Sequence, residues 1–333
     1  MEPRFHIEGT KQFGYSMVNR YLHSFYIYMN TVKRICQLYQ YAPVYFLKGY
    51  VAHSCYIRLK SFDTFLKVVV EHKDYVTANC IMRMLGDSVA VFHLVYMEPN
   101  EDLRLLRHCL YVLDGCERNL MVLPGYIIKE GALSKGERIE ANKQISFNIE
   151  HRKRMIREAQ EMLDKSPLKE IDAKAFNRIV EDRNWKFKEF KDYTKVNTNQ
   201  YKWKELYEKI DYCEGYDLLS YISQYAHGLS MSNLIIDLDE QNCDGVIGEA
   251  LGLLDRMNMY VMDFYSDETL YIIDGLKEPE MRDKILACYD DEHRPSIEEW
   301  DRQFSMNINL EIWILKIRIR NKILRVTPRM GLI

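Results

Sequence analysis

Apolar side chains recur at intervals of three and four over most of this chain. Tyr21, Phe25, Tyr28, Val32, Ile35 and Leu38 form one such series, which predicts a helix turning a single stripe toward a core. From about Gly14 to Gly131 the spacing predicts four long helices. The second starts near Pro43, a residue suited to a first helical turn because its missing N–H has no partner there. The third, Asp74 to Met97, is apolar on almost every side and is expected at the centre of a bundle. Asn100 followed by Glu101 and Asp102 predicts an N-cap and an acidic first turn for the fourth.

Between about Leu133 and Asn199 the charges alternate in sign, as in Glu150-His-Arg-Lys-Arg and Glu181-Asp-Arg-Asn-Trp-Lys. Ile145, Ile149, Ile156, Ala159 and Leu163 keep one apolar seam, and Ser166-Pro167 closes that helix. This stretch reads as a charged, solvated helical arm or hairpin. Apolar helices return at Tyr201 to Ile210, Gly215 to Ile236, Asp244 to Tyr265, Glu278 to Tyr289 and Ser296 to Phe304. In the third of these, Gly248-x-x-x-Gly252 would let a neighbouring helix approach closely. From Glu311 onward six basic residues stand against one acid, and Leu315, Ile317, Ile319 and Ile323 alternate with cations at a strand-like period of two. The expected organisation is an N-terminal bundle half (13–132), a charged arm (133–199), a C-terminal half completing the core (200–305) and a basic tail (306–333).

Composition supports the helical reading. With 15 glycines and 8 prolines in 333 residues there are few breakers, so long elements joined by few loops are expected. The fold class is all-α, a multi-helix bundle with the charged arm inserted between two halves of its core. A net charge of −3 gives no global attraction to nucleic acid or membrane. The 8 cysteines are scattered without a Cys-x-x-Cys pair, which predicts reduced, buried thiols rather than a metal or redox site. The N-terminus lacks the pattern of a signal peptide, and the longest clean apolar run, Ser88 to Met97, falls short of a membrane span. A cytoplasmic, membrane-free protein is the expectation.

Several catalytic templates are missing: the phosphate loop, the dinucleotide fingerprint, the zincin His-Glu-x-x-His and the Gly-x-Ser-x-Gly elbow. The acidic stretch from Asp237 to Gly245 fails as a calcium loop, because Asn242 stands where that loop needs glycine. No cofactor and no metal are expected. Two polar groupings remain. Arg83 and Asp87 lie four apart on the most apolar helix, where both would be costly to bury unless they met each other or another polar group. Tyr216, Ser220, Ser223, His227 and Ser230 follow at helical steps on one stripe. If that stripe faces Arg83 and Asp87, an imidazole beside a carboxylate suits general acid–base work near neutrality. A structural ion pair and a buried, hydrogen-bonded histidine account for the same residues. A third grouping interleaves Trp185, Phe187, Phe190, Tyr193, Tyr201, Trp203 and Tyr207 with lysines, a pattern that serves either single-stranded nucleic acid or helix packing under solvated lysines.

Two segments, Arg83-Met-Leu-Gly-Asp87 and Ser223-Gln-Tyr-Ala-His227-Gly, resemble an uncharacterised family of bacterial helical proteins, itself loosely similar to the HEPN group. In such proteins an Arg-x-x-x-acid helix and a Ser-x-x-x-His helix occur in one chain. The HEPN resemblance implies a small helical bundle, often a dimer, that cleaves RNA without metal in toxin or phage-defence systems. The group's arginine is followed after four to six residues by histidine. Here the nearest approach, Arg104-Leu-Leu-Arg-His108, has three intervening residues, so no catalytic position of the group transfers to His108 or His227.

The first functional expectation is therefore a helical protein that binds or processes RNA or a nucleotide in a stress or defence role. Its polar centre would join Arg83, Asp87, Ser223 and His227, and any activity would be that of a metal-independent hydrolase or nuclease. The alternative is a non-catalytic interaction or scaffold protein, touching a protein partner through the charged arm or the basic tail. A homodimer is compatible with both.

Overall fold

The computed structural model describes residues 16–42, 46–129, 131, 133–191, 195–210, 220, 222–225 and 240–302. They form an all-α protein with one short β-hairpin. The chain divides into two compact units, one built from Met1–Gln40, Val51–Val89 and Asp217–Ile333, the other from Tyr41–Tyr50 and Ala90–Tyr216.

In the first unit, α1 (Met17–Tyr39) buries the stripe its spacing predicts: Tyr21, Phe25, Tyr28, Val32 and Ile35 are all in the core. Leu38, the last member of the series, is 46% exposed, while Tyr39 beside it still meets the Tyr265 ring, 5.8 Å between centroids. Two buried tyrosines tie α1 to α2 (Leu47–Val70). Tyr21 Oη donates to the Phe62 carbonyl at 2.9 Å and Tyr28 Oη to the Cys55 carbonyl at 3.3 Å. These bonds satisfy phenols that would otherwise be costly to desolvate. Against its other side α1 packs on α9 (Glu240–Phe264), where Ser24 Oγ donates to Asp255 at 2.6 Å. At Gly248, where a close helix approach was expected, a Cβ would make only ordinary van der Waals contact with the Met17 methyl, 3.7 Å away. The acidic stretch rejected as a calcium loop enters α9 as its first turn from Glu240 on.

Farther along, Thr269–Asp274 (α10) and Pro279–Leu286 (α11) close this unit. Gly275 between them sits hard against the Arg34 guanidinium and the Asn30 amide, leaving no room for a side chain. Arg34 is held there by Glu278 at 2.9 Å and lies over the Tyr271 ring, 4.7 Å from its centroid. Leu276, Met281, Ile285, Leu286, Tyr289 and Trp300 form a buried cluster beneath.

α3 (Tyr75–Tyr96) runs within a residue of its expected span at each end. In the second unit, α4 (Glu101–Val122) is capped by Asn100, whose Oδ1 accepts from Asp102 N at 3.0 Å and Leu103 N at 3.1 Å. A 3₁₀ turn over Leu123–Tyr126 leads toward α5 (Lys135–Asp164), which packs back along α4. Ser134 and Glu137 make a reciprocal capping box at its start, and the helix stops just ahead of Ser166-Pro167. Two shorter helices follow, α6 (Leu168–Ile171) and α7 (Ala173–Glu181).

The expected arm, 133–199, is thus charged and helical over α5, but it also carries core. Met155, Ala159, Leu163, Leu168, Phe176, Ile179, Trp185 and Phe187 are buried. It ends in a hairpin that helical spacing did not predict: β1 (Phe187–Lys191) pairs antiparallel with β2 (Lys195–Gln200), Phe190 facing Val196 and Glu189 facing Asn197. α8 (Trp203–Lys209) follows, burying Leu206 and Tyr207 and pairing its Glu205 with Lys188 of β1. The strand-like pattern at 315–323 and the rest of the basic tail lie outside the described residues. No helix among the described residues is long and apolar enough to cross a membrane.

Candidate functional site

Arg83 and Asp87 meet on α3. One guanidinium nitrogen lies 2.8 Å from a carboxylate oxygen, with the two side chains 18% and 33% exposed. The stripe below them continues into Ala90 and Leu94, both buried. The pair therefore sits at the margin of the core, drier than a surface pair yet reachable. Burial raises the Asp87 carboxyl to about 6, against the opposing pull of Arg83. An acid titrating there holds both protonation states in useful amounts near neutral pH.

The helix expected to face this pair is described only in part. Residues 222–225 are helical, with Ile222 and Tyr225 buried and Ser223 half-buried, while Ser220 is exposed. The Tyr225 ring meets Tyr75 edge-on, 5.4 Å between centroids, so this segment touches the first turn of α3. His227, Tyr216 and Ser230 lie outside the described residues.

The Arg104–His108 segment that came nearest to the HEPN spacing is structural. Arg104 reaches back to Glu101 at 3.8 Å. Arg107 is 4% exposed, donates to the Trp185 carbonyl at 3.3 Å and lies over Phe187, 4.0 Å from the ring centroid. Burial lowers its pKa to about 10, with Glu98 opposing. His108 is buried between Tyr50 and Tyr96; the Tyr96 hydroxyl lies 3.3 Å from Nδ1. Burial brings this imidazole down to about 4, so it is neutral at physiological pH. The notch beside it, lined by Cys109, Met155 and Glu158, has room for about one water molecule. His23, against Tyr289 in the first unit, is likewise lowered to about 4 by burial.

The aromatic–lysine stretch resolves toward packing. Trp185, Phe187 and Tyr207 are buried, whereas Lys186 lies over Trp185 and Trp203 and Lys209 over Tyr201. Lys188 is paired with Glu205. Trp203, by contrast, remains 36% exposed. A more open aromatic occurs on α5, where Phe147 stands 63% exposed. Helical spacing did not single it out, although its position off the Ile145–Ile149–Ile156 seam is visible in the sequence.

Among the described residues no cluster of three histidine, cysteine or acidic side chains could hold a metal ion. The described thiols are all free, and burial pushes those of Cys55 and Cys109 up to about 12, which keeps them protonated and unreactive. Comparison with family models, with curated proteins and with solved structures returned no match.

Proposed function

We propose that the chain binds and processes RNA or a nucleotide at a polar centre on α3, in a stress or defence role. The observation that carries this reading is Asp87: a carboxyl titrating near 6, held 2.8 Å from a guanidinium, on the helix that the Ser223 segment touches through Tyr225. Arg83 supplies a bidentate donor for phosphate oxygens. His227, two residues beyond Tyr225, takes the proton from the attacking hydroxyl as its oxygen bonds to phosphorus and returns it to the leaving oxygen as the original P–O ester bond breaks, and Asp87 orients the imidazole or the phosphate-bound arginine. Ser223 contributes a hydroxyl four residues before His227.

The test is incubation of the purified protein with RNA and with nucleoside triphosphates, comparing wild type with His227→Ala and Asp87→Asn. Cleavage by wild type alone is the expected result. Substrate left intact by wild type refutes the reading, and so does equal cleavage by all three proteins. Growth arrest on expression, relieved by His227→Ala, is the expected cellular counterpart.

One observation favours the alternative of a non-catalytic interaction protein. Met121, Val122 and Tyr126, at the turn between α4 and α5, are 77%, 54% and 63% exposed. Such apolar side chains at the end of a helical hairpin suit docking of a protein partner.

A further inference from the structure

The outward face of α5 carries a row of planar groups. Phe147 stands open to solvent. One turn on, the His151 ring lies parallel to it, 3° between planes and 6.3 Å between centroids. Next in the row, an Arg154 guanidinium nitrogen lies 3.0 Å from His151 Nδ1. A guanidinium only donates, so Nδ1 is the acceptor and the imidazole is neutral with its proton on Nε2. The spacing 147, 151, 154 is one helical stripe, with Phe147 and Arg154 exposed and His151 half-buried where the stripe nears Met155, the first of the buried series Met155, Ala159 and Leu163.

The charge around this row is lopsided. Within residues 143–157, Lys143, Arg152, Lys153, Arg154 and Arg157 stand against the single acid Glu150; just outside, Glu140 lies 3.9 Å from Lys143 and Glu158 follows Arg157, so the excess of cations is local to residues 152–157. Glu150 is held by Lys153 at 2.8 Å. Arg157, one turn beyond Lys153 and Arg154, is exposed.

We propose that this face of α5 binds single-stranded nucleic acid, with bases stacking on the Phe147–His151 pair and phosphates meeting Lys143, Arg154 and Arg157. Stacking rings flanked by cations hold a single strand without regard to sequence, since every base has a π-face and every linkage a charge. A duplex keeps its bases inside and is read through backbone and shape, which leaves an exposed ring without a role. An apolar protein groove would accept Phe147 but would have to neutralise Arg154 and Arg157 beside it. The row lies on a different helix from the Arg83–Asp87 pair, and binding here does not require that pair to act.

The experiment is fluorescence anisotropy with labelled oligouridylate, the equivalent oligodeoxythymidylate and a duplex RNA, over a range of salt. Wild type is expected to bind the single strands more tightly than the duplex, with affinity falling as salt rises. Phe147→Ala should weaken binding about tenfold and Phe147→Tyr should retain it. The double variant Arg154→Glu, Arg157→Glu should weaken binding further and flatten the salt dependence, while Lys67→Ala, at an exposed lysine of α2 that belongs to neither site, should leave it unchanged. Because Phe147 is outside the core, circular dichroism should show these variants folded. No binding of single strands by wild type, a preference for duplex, or full affinity in Phe147→Ala would each overturn the proposal. Binding lost in Arg83→Ala but kept in Phe147→Ala would move the contact to α3 and overturn it too. A dimer seen by sedimentation and abolished by Phe147→Ala, with no oligonucleotide bound, would reassign the face to self-association.

Discussion

Asp87 shows how one residue's surroundings set its chemistry. Its neighbour Arg83 favours the charged form, yet burial outweighs that attraction and the carboxyl rises to about 6. The fold therefore prefers the protonated acid. The stability from that preference is complete below the ordinary carboxylate range and is lost as pH rises through about 6. Asp87→Asn, neutral at every pH, should accordingly gain on wild type between pH of about 4.5 and about 7.5. With the side chain one-third exposed and solvent screening the charge, the gain should be about 1 kcal/mol. Urea unfolding of both proteins at the two pH values measures it, and a constant difference would show that Asp87 titrates normally. The pairing of Arg83 with Asp87 was legible in the sequence, because a four-residue step on a helix brings two side chains together whatever else the chain does. The burial that sets the pKa was not, since it depends on what covers α3. Phe147 was illegible for the converse reason: an aromatic among alternating charges reads the same whether the fold covers it or leaves it open.

At the scale of elements, capping and periodicity decide most of the outcome. Asn100 satisfies two N–H groups at the start of α4, and acids at Glu101 and Asp102 meet the positive end of the helix. Asn100→Ala should destabilise the protein by about 1 kcal/mol. The denaturation midpoint should fall while the slope of the transition stays the same, and an unchanged midpoint would mean that water replaces the cap at no cost. Spans such as α1, α3 and α4 were readable because these signals lie within a few residues of one another. The hairpin of β1 and β2 was not. Its strands, Phe187–Lys191 and Lys195–Gln200, carry no apolar–polar alternation, and each gains its hydrogen bonds from the other. Trp185, Phe187 and Tyr207, which read as one aromatic–lysine run, belong to a loop, a strand and a helix that share a core.

For the molecule as a whole, the division into two units makes a definite prediction. Phe187 is fully buried in the second unit beneath the Arg107 guanidinium. Phe187→Ala should cost about 3–5 kcal/mol, combining lost apolar burial with a cation left over a cavity. Hydrogen exchange should report that loss chiefly from amides of residues 90–210, with those of α1 and α9 protected as before. Uniform loss across both units would mean that they unfold as one. The helical class, the spans of the first helices and the caps were determined by the sequence alone, because each follows from side chains three or four positions apart. Tertiary structure alone decided that Arg107 would find a carbonyl 78 residues away and that Tyr225 would rest on Tyr75. It also decided that the planar row on α5 would be left open. Those outcomes depend on how finished helices pack, and packing is a property of surfaces that residues distant in the chain build together.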